Sequence, residues 1–316
     1  MNSNKPVYKQ FCEKHPEIPL FSQYWWMEAV CAGRKWDVLF VRNATGKIIA
    51  SMPFEFKKKW GLRYILQPML TQTSGIWIDY PEGQTENERL SYEKKICNNI
   101  ISQLDTLKLA VFLQHFHFSF TNWLPFYWRG FSQTTRYTYR IPDISDLNNV
   151  FANFSDSNKR HIRKAEKELK VSFELSPEEF YEHKTRSLLP KGKKNECPKS
   201  LFLACYNASV ARNQGMIIAI KDQAGNFQAG AFIVWDKQSA YYMIPFASPE
   251  FRSSGASSLL VWEALKFLSG KTKSFDFEGS MIENTENAYR RFGSIQTPYS
   301  RIRRSSSKWI DCFVPF

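Results

Sequence analysis

The chain has 316 residues, 43% hydrophobic and 16% aromatic, and a formal charge of +13. That composition excludes a disordered chain, and the length suits one large or two medium domains with sizeable cores. The positive excess is no basic tail: 18 Lys and Arg face 12 Asp and Glu up to residue 145, and 25 face 18 beyond it.

A spread excess of this kind suits a polyanionic partner, such as a nucleotide cofactor, tRNA or an anionic envelope precursor, and equally suits a plain soluble basic surface. Cysteines 12, 31, 97, 197, 205 and 312 show no CxxC pair or regular spacing. The opening residues Met1 to Pro6 are polar with no apolar stretch behind them, and no apolar run could span a bilayer. A cytoplasmic protein with reduced thiols is expected.

After a polar lead, Pro19 and Leu20 enter a helix over 24–31 that Gly33 stops. Strands follow at 36–41 and 48–56, joined by the turn residues Asn43, Ala44, Thr45 and Gly46. Lys57, Lys58 and Lys59 read as a solvated hairpin tip, and 63–79 as extended chain broken by Pro68 and Gly75. Ile96, Ile100 and Leu104 share one face of a helix over 87–104. A buried-type strand at 109–113, a short aromatic segment at 122–131 and a strand at 134–141 close the first half.

Residues 142–146 read as a linker. A strongly basic helix over 158–167 and a strand at 171–175 come next. Ser176-Pro177-Glu178-Glu179 is a capping box with proline at the first helical position. A basic loop at 190–195, a helix over 199–212 and three strands in a meander lead to the strand 240–247. That strand runs into Arg252-Ser253-Ser254-Gly255-Ala256-Ser257, and an apolar helix follows at once. A Gly/Ser loop before a helix leaves backbone N–H groups free at the positive end of the dipole, a place for phosphate; an ordinary capped helix start, with Ser254 or Ser257 as cap, is the plainer alternative. The chain closes with a strand at 274–277, a short helix over 287–293 and a strand at 298–303.

Both halves thus give one order: helical entry, three antiparallel strands, helix, buried strand, short helix ending at Gly, strand. The closures Gly130-Phe131-Ser132-Gln133-Thr134 and Gly293-Ser294-Ile295-Gln296-Thr297 align Gly, Gln and Thr, which supports an internal duplication. The sequence also lacks GxSxG, GxxxxGK[ST] and HExxH, which disfavours a serine hydrolase, a P-loop enzyme or a zincin. His115 and His117 have near-ligand spacing without a matching Cys or carboxylate cluster, so no metal is expected.

Three residue groups resemble a known family. Arg252-x-x-Gly255-x-Ser257 is similar to the pyrophosphate loop of GNAT acyltransferases, with Ser257 where Gly or Ala is usual. Tyr289-x-x-x-Gly293 resembles the GNAT helix whose Tyr protonates a leaving thiolate. The basic helix with Asn158, Arg160, Arg163, Lys164 and Lys167 is similar to one at the start of the second domain of Fem-like proteins. The chain therefore resembles the FemAB-like acetyltransferases, relatives of the Fem peptidyltransferases. The resemblance implies an α/β (α+β) fold of two tandem GNAT-like domains, 1–142 and 146–316, each a mostly antiparallel twisted sheet flanked by helices. It implies an acyl-CoA or aminoacyl-tRNA donor on the second domain and an amine acceptor in the cleft between the halves. Two departures, Ala288-Tyr289 where many relatives carry Phe-Lys and the lack of a long coiled-coil hairpin, favour a general N-acyltransferase over a builder of peptidoglycan bridges. In the first half, Asp79-Tyr80-Pro81-Glu82-Gly83 stands where the anion loop would be; it is acidic, so this half is expected to shape acceptor binding.

Acyl transfer to an amine needs donor phosphates held, the carbonyl polarised, the amine deprotonated and the leaving group protonated. The backbone of 252–257 with the Arg252 side chain serves the first need. In the GNAT fold the strand backbone near Ile244 and Phe246 serves the second. Glu278 is the candidate base and Tyr289 the candidate acid, although a helix aromatic is as often a packing residue. Asp276 and Glu278 have an alternative as capping residues or as partners of Arg290, Arg291 and Arg301. The basic helix over 158–167 is most often a solvated face; if functional, its Arg160, Arg163 and Lys164 would bind phosphates of a donor tRNA or an anionic acceptor. A catalytically silent protein holding tRNA or an anionic envelope precursor is the alternative function.

Overall fold

A computed structural model of the chain describes residues 3–279 and 281–307; Cys312 lies outside them. The chain divides into two compact units, one up to Arg136 and again from Pro298, the other Tyr137–Thr297. Both crossings between the units fall inside strands.

In the first unit the expected polar lead is a helix, α1 (Lys5–Lys14), with Pro6 in its first turn and Tyr8, Phe11 and Cys12 buried. Those three sit at i, i+3 and i+4, an apolar stripe too narrow to stand out among the lysines and glutamates around it. α2 (Tyr24–Val30) follows, and the indole of its Trp26 donates to Thr71 Oγ1 at 3.1 Å. β1 (Trp36–Arg42) pairs antiparallel with β2 (Ile48–Lys59), and β2 with β3 (Leu62–Leu66). The lysine run is thus strand and not hairpin tip, since Lys57, Lys58 and Lys59 pair with Tyr64, Arg63 and Leu62 and the turn falls at Trp60–Gly61. β4 (Trp77–Ile78) also pairs with β2. α3 (Glu86–Thr106) lays Ile96, Cys97, Ile100, Ile101 and Leu104 on the core. β5 (Val111–His115) lies parallel to β3, α4 (Leu124–Tyr127) is a single turn, and β6 (Ser132–Ile141) leads into the second unit. The closing strand of the chain, Ile295–Ser305, pairs antiparallel with β5 from Arg301 to Ser305.

The second unit begins with a helix that the sequence does not announce, α5 (Leu147–Ala152), capped by the Asp146 carboxylate on the amides of Asn148 and Asn149. Six residues give periodicity too little length to register. α6 (Asp156–Glu168) is the basic helix, with Ile162 and Ala165 buried. β7 (Lys170–Ser172) is a three-residue strand. α7 (Pro177–Arg186) carries the expected capping box, and α8 (Lys199–Val210) follows. β8 (Gly215–Lys221), β9 (Phe227–Trp235) and β10 (Ser239–Ala247) form the meander. α9 (Ala256–Leu268), β11 (Ser274–Asp276), α10 (Glu283–Arg290) and β12 (Ile295–Ser305) complete the chain.

β7 to β10 pair antiparallel in order, β11 joins β10 in parallel, and β6 joins β11 antiparallel. Alternation then sorts the side chains. Met216, Ile218 and Ile233 pack with Ile162, Leu259 and Leu260 of α6 and α9. On the other face Phe202 of α8 meets Phe232, and Phe180 of α7 meets Phe246. Phe275 is fully buried between the rings of Tyr242 and Phe277, at 5.9 and 5.0 Å. Phe275→Ala is expected to cost about 3–5 kcal/mol of stability, through lost transfer energy and the cavity left behind; urea unfolding of the two proteins measures it.

Candidate active site

The site starts from a strand pair that parts. β10 and β11 pair only at Ser239–Ser274, Ala240–Phe275 and Tyr241–Asp276. Beyond Asp276 the chain stays with β6, since the Phe277 amide donates to the Tyr139 carbonyl at 2.9 Å. β10 continues beside β9 to Ala247, with its register shifted between Tyr242 and Ile244. Backbone polar groups along this parting edge are what a polar, extended ligand would find in place of a strand. Ile244 and Phe246, expected on the donor path, lie in this stretch with buried side chains. The Phe246 ring stacks on His183 (5.3 Å, 16°), so both residues offer a ligand their backbone only. The Lys184 ammonium, which the sequence did not single out, donates to the Pro245 carbonyl between them at 2.8 Å.

At the parting point sits a buried carboxylate. Asp276 is fully buried; it accepts from the Thr138 hydroxyl and from the Glu278 amide at 2.7 Å, and the Arg140 guanidinium stands 3.7 Å away. Its cation therefore comes from β6, and Arg290, named above as an alternative, pairs with Glu286. Glu278 is one of five non-glycine residues with positive φ among the described residues, at 61°, and Gly279 follows at 66°. A Cβ on Gly279 would lie 2.4 Å from the Tyr137 carbonyl, so the chain needs glycine there. The left-handed turn costs Glu278 on the order of 1 kcal/mol and recurs at functional sites. Burial, and then the charge of Asp276, hold the Glu278 carboxyl well above its ordinary value near 4.5, and its buried Oε1 has no described partner.

Tyr289, on α10, stacks on Phe277 at 4.6 Å and 24°. Burial raises its phenol, and Glu278 and Asp276 raise it further, which places the candidate acid in the field of the candidate base. A phenol so raised keeps its proton, the state a general acid needs. Gly293, at the end of the same motif, has φ 67° and would bring a Cβ within 2.8 Å of the Asn153 carbonyl, so it is glycine for packing.

In the loop before α9 neither Ser254 nor Ser257 is the N-cap. Gly255 itself is the N-cap, at φ 82°, and no side chain caps the helix from that position. Ser254 Oγ accepts from the Ala256 amide at 3.2 Å and donates to the Phe251 carbonyl at 2.8 Å, bracing the turn. Among the described residues the amides of Gly255 and Ser257 have no acceptor, while Arg252, Ser253 and Ser257 are exposed. A Cβ on Gly255 would lie 2.7 Å from the His161 carbonyl of α6, so this glycine serves close packing as well as the turn. Through that contact and a 3.4 Å bond from the Ser258 hydroxyl to Asn158, α6 crosses the start of α9. Arg160, Arg163 and Lys164 are exposed on α6, with Arg163 5.9 Å from the Phe151 ring.

A depression of about 590 Å³ lined by His183, Arg186, Phe227 and Phe251 includes none of the expected donor residues. Among the described residues no group of His, Cys, Asp and Glu is arranged to hold a metal, and no helix is long and apolar enough to cross a membrane.

Residues 152–289 match the family described as the acetyltransferase (GNAT) domain. This stretch is a GNAT-type domain. Over the whole chain the fold is similar to a crystal structure of FemX, with a TM-score of 0.71 and 14% identity over 95% of this chain and 96% of that one. It is similar to the C-terminal domain of a putative lysylphosphatidylglycerol synthetase from Agrobacterium fabrum, with a TM-score of 0.54 and 10% identity over 90% and 89%. It is also similar to a tandem GNAT protein from the clavulanic acid biosynthesis pathway, with a TM-score of 0.52 and 9% identity over 87% and 84%. No curated protein matches by sequence. At these identities the likeness is one of fold: an α/β chain of the tandem GNAT type, resembling the FemAB-like acyltransferases.

The raised Glu278 carboxyl has a consequence for stability. The folded protein holds that proton to a higher pH than the unfolded chain, so the stabilisation is complete below the unfolded value and is lost as pH rises through the folded one. Glu278→Gln is expected to gain stability relative to the parent between about pH 5 and pH 8, read by urea unfolding at each pH. Asp276→Asn should lower the Glu278 pKa, followed by carbon-13 NMR of the carboxyl.

Proposed function

We propose that the protein is an N-acyltransferase that moves an acyl group, acetyl or aminoacyl, from acyl-CoA or aminoacyl-tRNA to an amine. Acyl transfer in general accords with the GNAT-type domain over 152–289. The observation that carries the finer reading is the parting of β10 and β11 with Glu278 and Tyr289 at its mouth. The donor's phosphates meet the Gly255 and Ser257 amides and the Arg252 side chain, at the positive end of α9. Its acyl carbonyl lies along the β10 backbone near Ile244 and Phe246. Glu278 takes the proton from the attacking amine, and Tyr289 gives one to the leaving group.

Within this reading the second GNAT-like half, 146–316, carries the donor, and the first, 1–142, shapes acceptor binding. The start of α3 supports that division: Glu88 accepts from the Thr85 amide at 2.8 Å in a capping box, so a carboxylate already occupies the place where a phosphate would sit. Arg160, Arg163 and Lys164 supply positive charge for an anionic donor or acceptor.

Acyl-CoA esters are expected to raise the melting temperature of the full chain, and Arg252→Ala to weaken them about 10-fold or more, as loss of a charged hydrogen bond does. If no CoA ester stabilises the protein while tRNA is retained on it, a non-catalytic binding role replaces this one. With an amine acceptor in a thiol-release assay, Tyr289→Phe and Glu278→Gln should each lower turnover about 100-fold or more. Unchanged turnover in either variant removes that residue from the mechanism.

A further inference from the structure

Three features at the end of the β2–β3 hairpin oppose folding or solubility, and none serves the core. Lys59 pairs with Leu62, so the turn is the two residues Trp60 and Gly61, at φ 50° and 77°. Positive φ at both places is the type I′ pattern, which favours Asn-Gly or Asp-Gly and disfavours a bulky side chain at the first. The indole there is 85% exposed, and Leu62 beside it is 40% exposed. The stretch 56–66 also carries Lys57, Lys58, Lys59 and Arg63 with no Asp or Glu.

Two other hairpin turns of the chain use ordinary polar chemistry. Asn43 Oδ1 accepts from the amides of Thr45 and Lys47 at 3.1 and 3.0 Å, and Asp222 Oδ1 from that of Asn226 at 2.9 Å. The root of the β2–β3 hairpin is anchored, since Ile65 is buried and Phe56 packs on the same core cluster. Further out, Lys58 lies opposite Arg63 on one side of the hairpin and Lys59 opposite Leu62 on the other, all four exposed. Exposure on both sides means that the tip projects into solvent. Lys57 stands 3.4 Å from the buried Glu55, which also holds Arg34. Lys58, Lys59 and Arg63 have no carboxylate within ion-pair distance among the described residues; Arg63 donates to the Leu107 carbonyl at 3.2 Å, and the Lys59 ammonium lies 4.4 Å over the Trp60 ring.

Lysines at a hairpin end are ordinary guards against edge pairing, but they give no reason for an indole in a left-handed turn. We infer that this tip docks on an anionic lipid surface, with Trp60 and Leu62 entering the headgroup region and Lys58, Lys59 and Arg63 facing the lipid phosphates. An indole suits the boundary between water and hydrocarbon, and basic side chains close to it are drawn to anionic headgroups. A nucleic acid also offers phosphates, but it gives the Leu62 side chain no apolar partner, and Lys59 covers a face of the indole on which a base would stack. The assignment holds whether or not the chain transfers acyl groups, because the hairpin belongs to the first unit and the donor loop to the second.

The test uses the full chain with vesicles of phosphatidylcholine alone and of phosphatidylcholine mixed with phosphatidylglycerol, read by co-sedimentation. The parent should bind the anionic vesicles and not the neutral ones, and added salt should weaken the binding. Trp60→Asn and the double variant Lys58→Gln with Lys59→Gln should each weaken it about 10-fold or more. Bromine-labelled acyl chains should quench the fluorescence of the parent more than that of Trp60→Phe; equal quenching leaves the indole outside the bilayer and overturns the inference. So does a lack of binding to anionic vesicles, equal binding to both compositions, or undiminished binding in either variant. Binding of tRNA that these variants abolish, with vesicles left unbound, overturns it in favour of a nucleic acid. Without lipid, Trp60→Asn should melt no lower than the parent, since asparagine accepts positive φ. A clear fall in its melting temperature would make the indole structural and likewise overturn the inference.

Discussion

A single buried carboxylate fixes the geometry of the second unit. Asp276 ends β11, takes the Thr138 hydroxyl and the Glu278 amide, and draws the Arg140 guanidinium to its other oxygen. A charge with no exposure must be met by donors, and each of these donors has a structural effect. Thr138 and Arg140 bind β11 to β6, so the chain after Asp276 leaves β10. The Glu278 amide donates to it while the chain at Glu278 is in the left-handed region, at φ 61°. Burial first, and then the same charge, keeps the Glu278 carboxyl protonated further up the pH scale.

The helices α3 and α9 begin in opposite ways. α3 opens on Thr85 and Glu88, whose side chains satisfy the first amides and set negative charge against the dipole. α9 opens on a left-handed glycine with serines around it and leaves amides without acceptors. The difference is chemical: one start is closed by its own carboxylate, and the other can still take an anion. Gly255 is required there twice over, by its φ and by the His161 carbonyl against its Cα.

Much of this was legible in the order of residues. Alternation gave the meander from Gly215 to Ala247, the capping box gave α7, and the apolar stripe gave α3. The Gly/Ser turn and the Tyr-x-x-x-Gly motif marked the two segments that the candidate site is built from. α1 and α5 escaped notice because one hides its stripe among charges and the other is too short for a period to form. Lys57 to Lys59 were misplaced because solvent-facing strand residues can be as polar as a turn. In the sequence Asp276 reads only as a cap or as a partner of Arg290, Arg291 and Arg301; its partners on β6 are 138 and 136 residues away in sequence, beyond any local pattern.

The sequence by itself determined the periodic elements and the capped helix starts, because those depend on neighbours a few residues apart. It also carried the family resemblance, which rests on short motifs. Tertiary structure alone decided which cation meets Asp276, where β10 and β11 part, and that His161 closes on Gly255. Each of these joins residues distant in the chain. Their energies depend on burial and on charge at close range, and neither quantity exists until the strands have paired.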